Sequence, residues 1–251
     1  MTQTVIAMVN QKGGVGKTTT AINVAAQLAA NGSVLLVDLD PQGNATSGLG
    51  LPKEGGRTTY DVLCKGAALS AAVQETHVAQ LHVLPANADL AGAEVELVSR
   101  QHREFALRQV LENAGYDYMI IDCPPSLGLL TINALTAADS VLIPVQTEYY
   151  ALEGLSQLLN TIQAVRGSTN PQLELLGVAL TMFDKRNSLS EQVQAEVANY
   201  FGDKLFKAII PRNVRLAEAP SYGRTIYEHD RWSKGARAYK ALAKEVRDRL
   251  S

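Results

Sequence analysis

The chain has 251 residues, of which 46% are hydrophobic and 19% charged, and its formal net charge is −2. That balance is ordinary for a globular protein with a sizeable core, and the two cysteines, Cys64 and Cys123, are too few for a disulfide framework or a metal cluster. No apolar run approaches the roughly 18–20 residues of a membrane span, and the N-terminus enters a strand without a basic leader, so a cytoplasmic address is expected.

The first informative stretch lies close behind the N-terminus. Val5-Ile6-Ala7-Met8-Val9 reads as a strand, and Ala21 to Leu28 reads as a helix. Between them stands Asn10-Gln11-Lys12-Gly13-Gly14-Val15-Gly16-Lys17-Thr18-Thr19-Thr20. Strand, glycine-rich turn, Gly-Lys-Thr and helix is the setting of a phosphate-binding loop. The glycines let successive N–H groups converge on phosphate oxygens, and the helix N-terminus adds its dipole. Lys17 is expected on the β- and γ-phosphates and the Thr18 hydroxyl on Mg²⁺, with Gln11, Lys12, Gly13, Gly14, Val15, Gly16 and Thr19 completing the cradle. In the usual pattern a glycine falls where Gln11 stands, and here a second lysine, Lys12, follows it.

Val34 to Leu39 is a near-continuous apolar run ending in Asp38 and Asp40, as expected of a buried parallel strand beside the loop-bearing one. Ligand sites in such sheets lie at the carboxyl ends of strands, which brings both aspartates toward the phosphates. Thr58–Leu63 and Leu69–Val73 suggest short helices and Leu81–Pro85 a short strand. Asp89–Arg100, capped by Asp89, and His102–Ala114 read as a helix pair. No chemistry is legible there, since His77, His82 and His102 lack metal-ligand spacing. Tyr116 to Asp122 is a hydrophobic strand ending in an acid, the Walker B pattern, in which Asp122 orders Mg²⁺ or its water. Pro124 and Pro125 stiffen the turn after it, and a switch-like loop leads into a helix over Leu129–Ala137. Cys123 reads as a packing residue.

Ser140–Val145 and Leu173–Met182 are further buried strands, separated by a helix from Ala151 to Arg166. Ser188–Phe201 is helical, with Val193, Val197 and Tyr200 on one stripe. Leu205–Ile210 reads as a short strand ending in Pro211-Arg212-Asn213-Val214-Arg215. The last helix, Ser233–Leu250, sets Ala236, Tyr239, Ala243, Val246 and Leu250 beside a basic stripe of Lys234, Arg237, Lys240, Lys244 and Arg247. Charge is uneven: residues 1–200 hold 11 Lys and Arg against 19 Asp and Glu, and residues 201–251 hold 12 against 6. A solvated helix face and a surface for nucleic acid or anionic membrane both fit that asymmetry. The alternation of strand and helix, without linker or repeat, predicts one domain over residues 1–251, an α/β fold with a doubly wound, mostly parallel sheet flanked by helices.

One phosphate cradle and two acidic strand ends point to ATP or GTP, and the lack of an N-K-x-D base-reading segment favours ATP. Lys17, Lys12 and Mg²⁺ can neutralise charge during hydrolysis, and Asp40 can orient the attacking water. The form Lys12-Gly13-Gly14-Val15-Gly16-Lys17-Thr18-Thr19 resembles the deviant Walker A motif of the ParA/MinD class of P-loop ATPases. With Val37-Asp38-Leu39-Asp40-Pro41-Gln42-Gly43-Asn44, Ile121-Asp122-Cys123-Pro124-Pro125-Ser126 and Ile210-Pro211-Arg212-Asn213-Val214-Arg215-Leu216, the whole chain resembles the ParA/Soj family of chromosome-partition ATPases. That resemblance implies a weakly active, Mg²⁺-dependent ATPase that forms a homodimer on ATP binding, with Lys12 reaching the partner's nucleotide. It implies Asp40 in one switch and Asp122 in the other, Pro211 and Asn213 at the adenine end, and Arg186 and Arg215 on DNA. It also implies binding of double-stranded DNA without sequence preference, a ParB-type centromere-binding partner that stimulates hydrolysis, and association with the nucleoid. The alternative is a MinD-like membrane-positioning ATPase, but the last helix has only a modest apolar face, and stable membrane association is not expected.

Overall fold

The computed structural model describes residues 3–148 and 153–250. Its centre is a seven-stranded sheet in the order β3-β4-β2-β5-β1-β6-β7. The strands are β1 (Thr4–Met8), β2 (Val34–Asp38), β3 (Gln74–Glu75), β4 (Leu81–Leu84), β5 (Tyr118–Asp122), β6 (Ser140–Gln146) and β7 (Glu174–Thr181). Every pairing is parallel except that of the two-residue edge strand β3 with β4. The central strands are apolar without alternation because helices cover both faces, and each face has its own buried cluster.

In chain order the helices are α1 (Lys17–Leu28), α2 (Asn44–Gly48), α3 (Thr59–Lys65), α4 (Leu69–Ala72), α5 (Leu90–Val98), α6 (Ala106–Leu111), α7 (Leu129–Ala137), α8 (Glu153–Arg166), α9 (Ser188–Phe201), α10 (Val214–Glu218), α11 (Ile226–Asp230) and α12 (Lys234–Leu250). The start expected at Ala151 for α8 lies outside the described residues. Helix α12 lies on α1: Tyr239 is buried and its hydroxyl meets the Thr20 hydroxyl at 3.1 Å. The Asn23 side chain in α1 accepts from the Ile226 N–H at 2.9 Å, so the C-terminal elements brace the helix that follows the phosphate loop.

Four expectations need correction. Strand β2 does not flank β1, because the crossover leaves a place that β5 fills, with Asp122 level with Met8 on one side and Asp38 on the other. The helix expected over His102–Ala114 shrinks to a 3-10 turn, Arg103–Phe105, and α6, since His102 adopts a left-handed φ of 54°. Tyr200 is 64% exposed, and the buried stripe of α9 runs through Ser190, Val193, Val197 and Phe201.

Leu205–Ile210 is not a strand either. Among the described residues its backbone hydrogen bonds to β7 are the Phe206 N–H to the Val178 carbonyl and the Ile210 N–H to the Leu180 carbonyl, with an isolated bridge between Leu205 and Val178. In between, the N–H groups of Lys207 and Ala208 turn away to the Glu245 carboxylate. The Arg249 guanidinium holds the start of this segment, donating to the carbonyls of Leu176, Asp203, Lys204 and Leu205 with its carbon 3.9 Å from the Phe206 ring centre.

Candidate nucleotide site

The carboxyl ends of β1, β5 and β2 meet at one edge of the sheet, and the loop after β1 is shaped from both sides. The Asn10 amide donates to the Pro144 carbonyl at 2.7 Å, and its oxygen accepts from the Lys12 N–H at 2.9 Å. Gly14 and Gly16 have φ of 75° and 88°, a region costly for side-chain-bearing residues. Thr181, at the end of β7, donates its hydroxyl to the Val15 carbonyl at 2.8 Å, fixing the loop from the far strand. Among the described residues, the backbone N–H groups from Gly13 to Thr18 take no protein acceptor. With α1 starting at Lys17, they form a concave array of donors at a helix N-terminus, the geometry that suits an anion.

The two loop lysines differ. Lys17 is 6% exposed, and its Nζ donates to the Lys12 carbonyl at 3.2 Å, inside its own loop. Burial lowers its pKa, opposed chiefly by Asp122. Lys12 is half-exposed and points outward, with Nζ 3.1 Å from the Glu148 carboxylate. That carboxylate also takes the Gln146 amide and faces Arg212 at 3.9 Å.

The acids are stacked at the strand ends. Asp122 is fully buried; the Thr18 hydroxyl approaches it as a hydrogen-bonding neighbour, but neither carboxylate oxygen has a well-formed bond. Burial pushes its pKa well above the usual carboxylate range and Asp38 pushes it further, while Thr18 and Lys17 pull it back. Asp38 is fully buried too, and burial raises its pKa to about 6. Unlike Asp122 it is satisfied, accepting from the Thr46 N–H at 2.8 Å, the Thr46 hydroxyl at 2.7 Å and the Asp40 N–H at 3.3 Å. Asp38 therefore anchors the loop that carries Asp40. Asp40 is 8% exposed and accepts from the Gln42 N–H at 2.9 Å. The turn behind it needs Gly43, whose φ is 59° and where a Cβ would come within 2.5 Å of the Ala86 carbonyl oxygen. Cys123 is buried, and burial raises its thiol pKa well above the ordinary value, so the thiolate is suppressed.

Beside the loop opens a cavity of about 430 Å³, lined by Gly16, Thr19, Thr181, Pro211, Asn213 and Leu216 among others. Pro211 and Asn213 thus line the same cavity as Gly16 and Thr19 of the loop, and the Asn213 side chain also caps α10 by accepting from the Arg215 N–H. Arg186 and Arg215 are exposed, and each is already paired: Arg186 with Asp184 at 2.8 Å, Arg215 with Glu218 at 2.8 Å and Asp230 at 3.8 Å. Sequence reasoning missed Asn10 as a loop brace and Thr181 altogether. Asn10 lay within the motif, whereas Thr181 is brought near only by the order of the sheet.

A strand-loop-helix anion cradle, a buried loop lysine at the start of the helix and an acid buried at the next strand end define a P-loop ATPase. A family model described as an AAA domain matches residues 3–175. The sporulation initiation inhibitor protein Soj of Bacillus subtilis is 58% identical over 246 residues, covering 96% of this chain and 97% of Soj. The chromosome partitioning protein ParA of Caulobacter vibrioides is 55% identical over 248 residues, covering 96% of this chain and 93% of that protein. Among solved structures, a cobyrinic acid a,c-diamide synthase from Mycobacterium smegmatis with bound ADP and magnesium superposes with a TM-score of 0.85 at 41% identity, covering 97% of this chain and 93% of the other. The chain belongs to the ParA/Soj family of chromosome-partitioning ATPases.

Proposed function

We propose that this single-domain chain is an ATP-dependent DNA segregation ATPase whose ATP-bound form is a sandwich dimer. The observation that carries the reading is the division of labour between the loop lysines. Lys17 is buried and serves its own cradle, whereas Lys12 stands half-exposed and turned outward, available to a nucleotide held by a second copy.

ATP and Mg²⁺ supply the phosphoanhydride and the cation that spreads its developing charge. The N–H array from Gly13 to Thr19 and Lys17 bind the phosphates, with Gln11 at the mouth of the loop. Pro211 and Asn213 flank the base. Thr18 and Asp122 would hold the metal, and the buried Asp122 carboxylate, which no protein donor fully satisfies, is the feature that fits one. Among the described residues no group of three or more His, Cys, Asp or Glu stands together as a metal cage. That suits Mg²⁺, which leans on one or two protein oxygens and the phosphates. Asp40 orients the water, and Lys12 of the partner neutralises charge at the far side.

The ATP dimer binds duplex DNA without sequence preference through Arg186 and Arg215 on each subunit, and pairing two weak surfaces makes affinity depend on nucleotide and salt. A ParB-type partner stimulates hydrolysis and so ends the DNA-bound state. The greater identity to partition proteins than to the mycobacterial synthase supports this reading over small-molecule amidation. A MinD-like membrane role is less favoured, because the apolar face of α12 is spent on α1: Ala236, Tyr239, Leu242 and Val246 are all buried. No helix among the described residues is long and apolar enough to cross a membrane.

The test is DNA binding with ATP, with ADP and without nucleotide, at low and high salt. Binding confined to ATP and weakened by salt is expected. Equal binding in all three states, or preference for lipid vesicles, would refute the proposal.

A further inference from the structure

The chain has a single tryptophan, Trp232, and it is among the most exposed large side chains in the protein, at 76%. It stands just after α11, on the solvent side, where burying an indole contributes nothing to folding. It is not alone. The Arg231 guanidinium lies 4.9 Å from the Trp232 ring centre and 5.6 Å from that of Tyr227, itself 40% exposed. Tyr222, 65% exposed, stacks on His229 at 5.1 Å just before and within the same helix. Exposed aromatic and arginine side chains thus surround a five-residue helix, with Arg231 in contact with both Tyr227 and Trp232.

The patch is continuous with a residue already assigned to DNA. The Asp230 carboxylate accepts from the backbone N–H of Trp232 at 3.1 Å and faces the Arg215 guanidinium at 3.8 Å, so the turn that carries Trp232 is tied next to Arg215. The local acids are engaged: Glu218 by Arg215 and His229, Asp230 by Arg215, and Glu228 by His77 and the cap of α11. Arg224, Arg231 and Lys234 form no ion pair among the described residues, which leaves net positive charge bracketing the rings.

We propose that Trp232, held by Arg231, is a DNA contact of the ATP-bound dimer, resting on the function proposed above. Arg215, Arg231 and Lys234 neutralise phosphates, and the indole packs on the sugar and base edges between them. A polyanion with exposed apolar ring faces matches this mixture of cations and flat rings. An anionic bilayer matches it less well, because α11, at five residues, is too short for an amphipathic anchor.

The two kinds of contact have separable signatures. A phosphate contact contributes to the salt dependence of binding and a ring contact does not. Binding of a labelled duplex by the full chain is measured by anisotropy with Mg²⁺-ATP and with ADP across a salt series, alongside emission from Trp232. We expect DNA to quench that emission only with ATP. Trp232→Ala should weaken ATP-state binding about five- to tenfold with an unchanged salt slope, Trp232→Phe should recover most of it, and Arg231→Gln should lower the slope by about 1. All three exposed variants should keep the wild-type melting temperature. Wild-type affinity in Trp232→Ala, or an emission change with phosphatidylglycerol vesicles and none with DNA, would overturn the contact. Absence of ATP-dependent DNA binding in the wild-type chain would instead overturn the function on which it rests.

Discussion

The strand-end acids are arranged for a ligand and against the stability of the free protein, and Asp122→Asn separates the two. Asp122 is fully buried with neither oxygen in a well-formed hydrogen bond, level with Asp38 on the neighbouring strand. For Asp38, a pKa raised from 3.8 to about 6 alone corresponds to about 3 kcal/mol lost when it ionises in the fold. Asp122 is shifted in the same direction by its own burial and by Asp38. The sign is that of an acid whose folded pKa lies above its unfolded value. The unfolded chain gives up its protons first, so nucleotide-free stability falls as pH rises from about 4 through 6 and beyond. Replacing the carboxyl by a neutral isostere removes the cost of ionising this group inside the fold, an effect of about 1–3 kcal/mol. At about 2–4 °C per kcal/mol for a chain this size, the free variant should melt several degrees higher than wild type. Its loss of stability between pH 4 and 7 should also be shallower. Saturating Mg²⁺-ATP at about 100 times Kd should add about 2.7 kcal/mol to the wild type, and the Mg²⁺-dependent part of that gain should vanish in the variant. Scanning fluorimetry with ATP, with and without Mg²⁺, reads both effects. A free variant less stable than wild type, or one still stabilised by Mg²⁺, would refute the reasoning.

Three further variants address other parts of the protein. Asp40→Ala should still dimerise and bind DNA with ATP but lose at least about 100-fold in hydrolysis, as for removal of a group that acts only on the attacking water; phosphate release and sedimentation check this, and normal turnover would remove Asp40 from the mechanism. The double variant Arg186→Glu, Arg215→Glu should abolish DNA binding in a gel-shift assay while leaving ATP binding intact, and retained DNA binding would take the arginines out of the account. Tyr239→Phe leaves the buried Thr20 hydroxyl without its partner and should cost about 1 kcal/mol in denaturant unfolding with DNA binding unchanged.

Much of the site was legible because its parts lie close together in sequence. The phosphate loop is one contiguous segment, and Asp38, Asp40 and Asp122 each end an apolar run that period and composition identify as a buried strand. Sheet order was not legible, since nothing in the run Val34–Asp38 says whether β5 or β1 lies beside it. Thr181 was missed for the same reason: it reaches the loop at Val15 across 166 positions of sequence. Leu205–Ile210 misled because its composition suits a strand, whereas two of its N–H groups are taken by Glu245, a side chain in a helix. The segment from Leu216 to Trp232 gave no periodicity, because α10 and α11 are five residues each, too short for an apolar stripe to repeat.

Arg249 carries a consequence for handling the protein. Strand β7 is the last of the sheet, and a parallel edge left open is a template for pairing with another chain. Its cover is a segment that never became a strand, tied down at one end by a single guanidinium spread over four carbonyls. Protection of the edge therefore depends on a side chain that belongs to the last turn of α12. Trimming that turn, or straining it with a rigid fusion, would unfasten the cover before it disturbed the nucleotide site. The first symptom would be loss of material to aggregation, with the surviving molecules fully able to bind ATP.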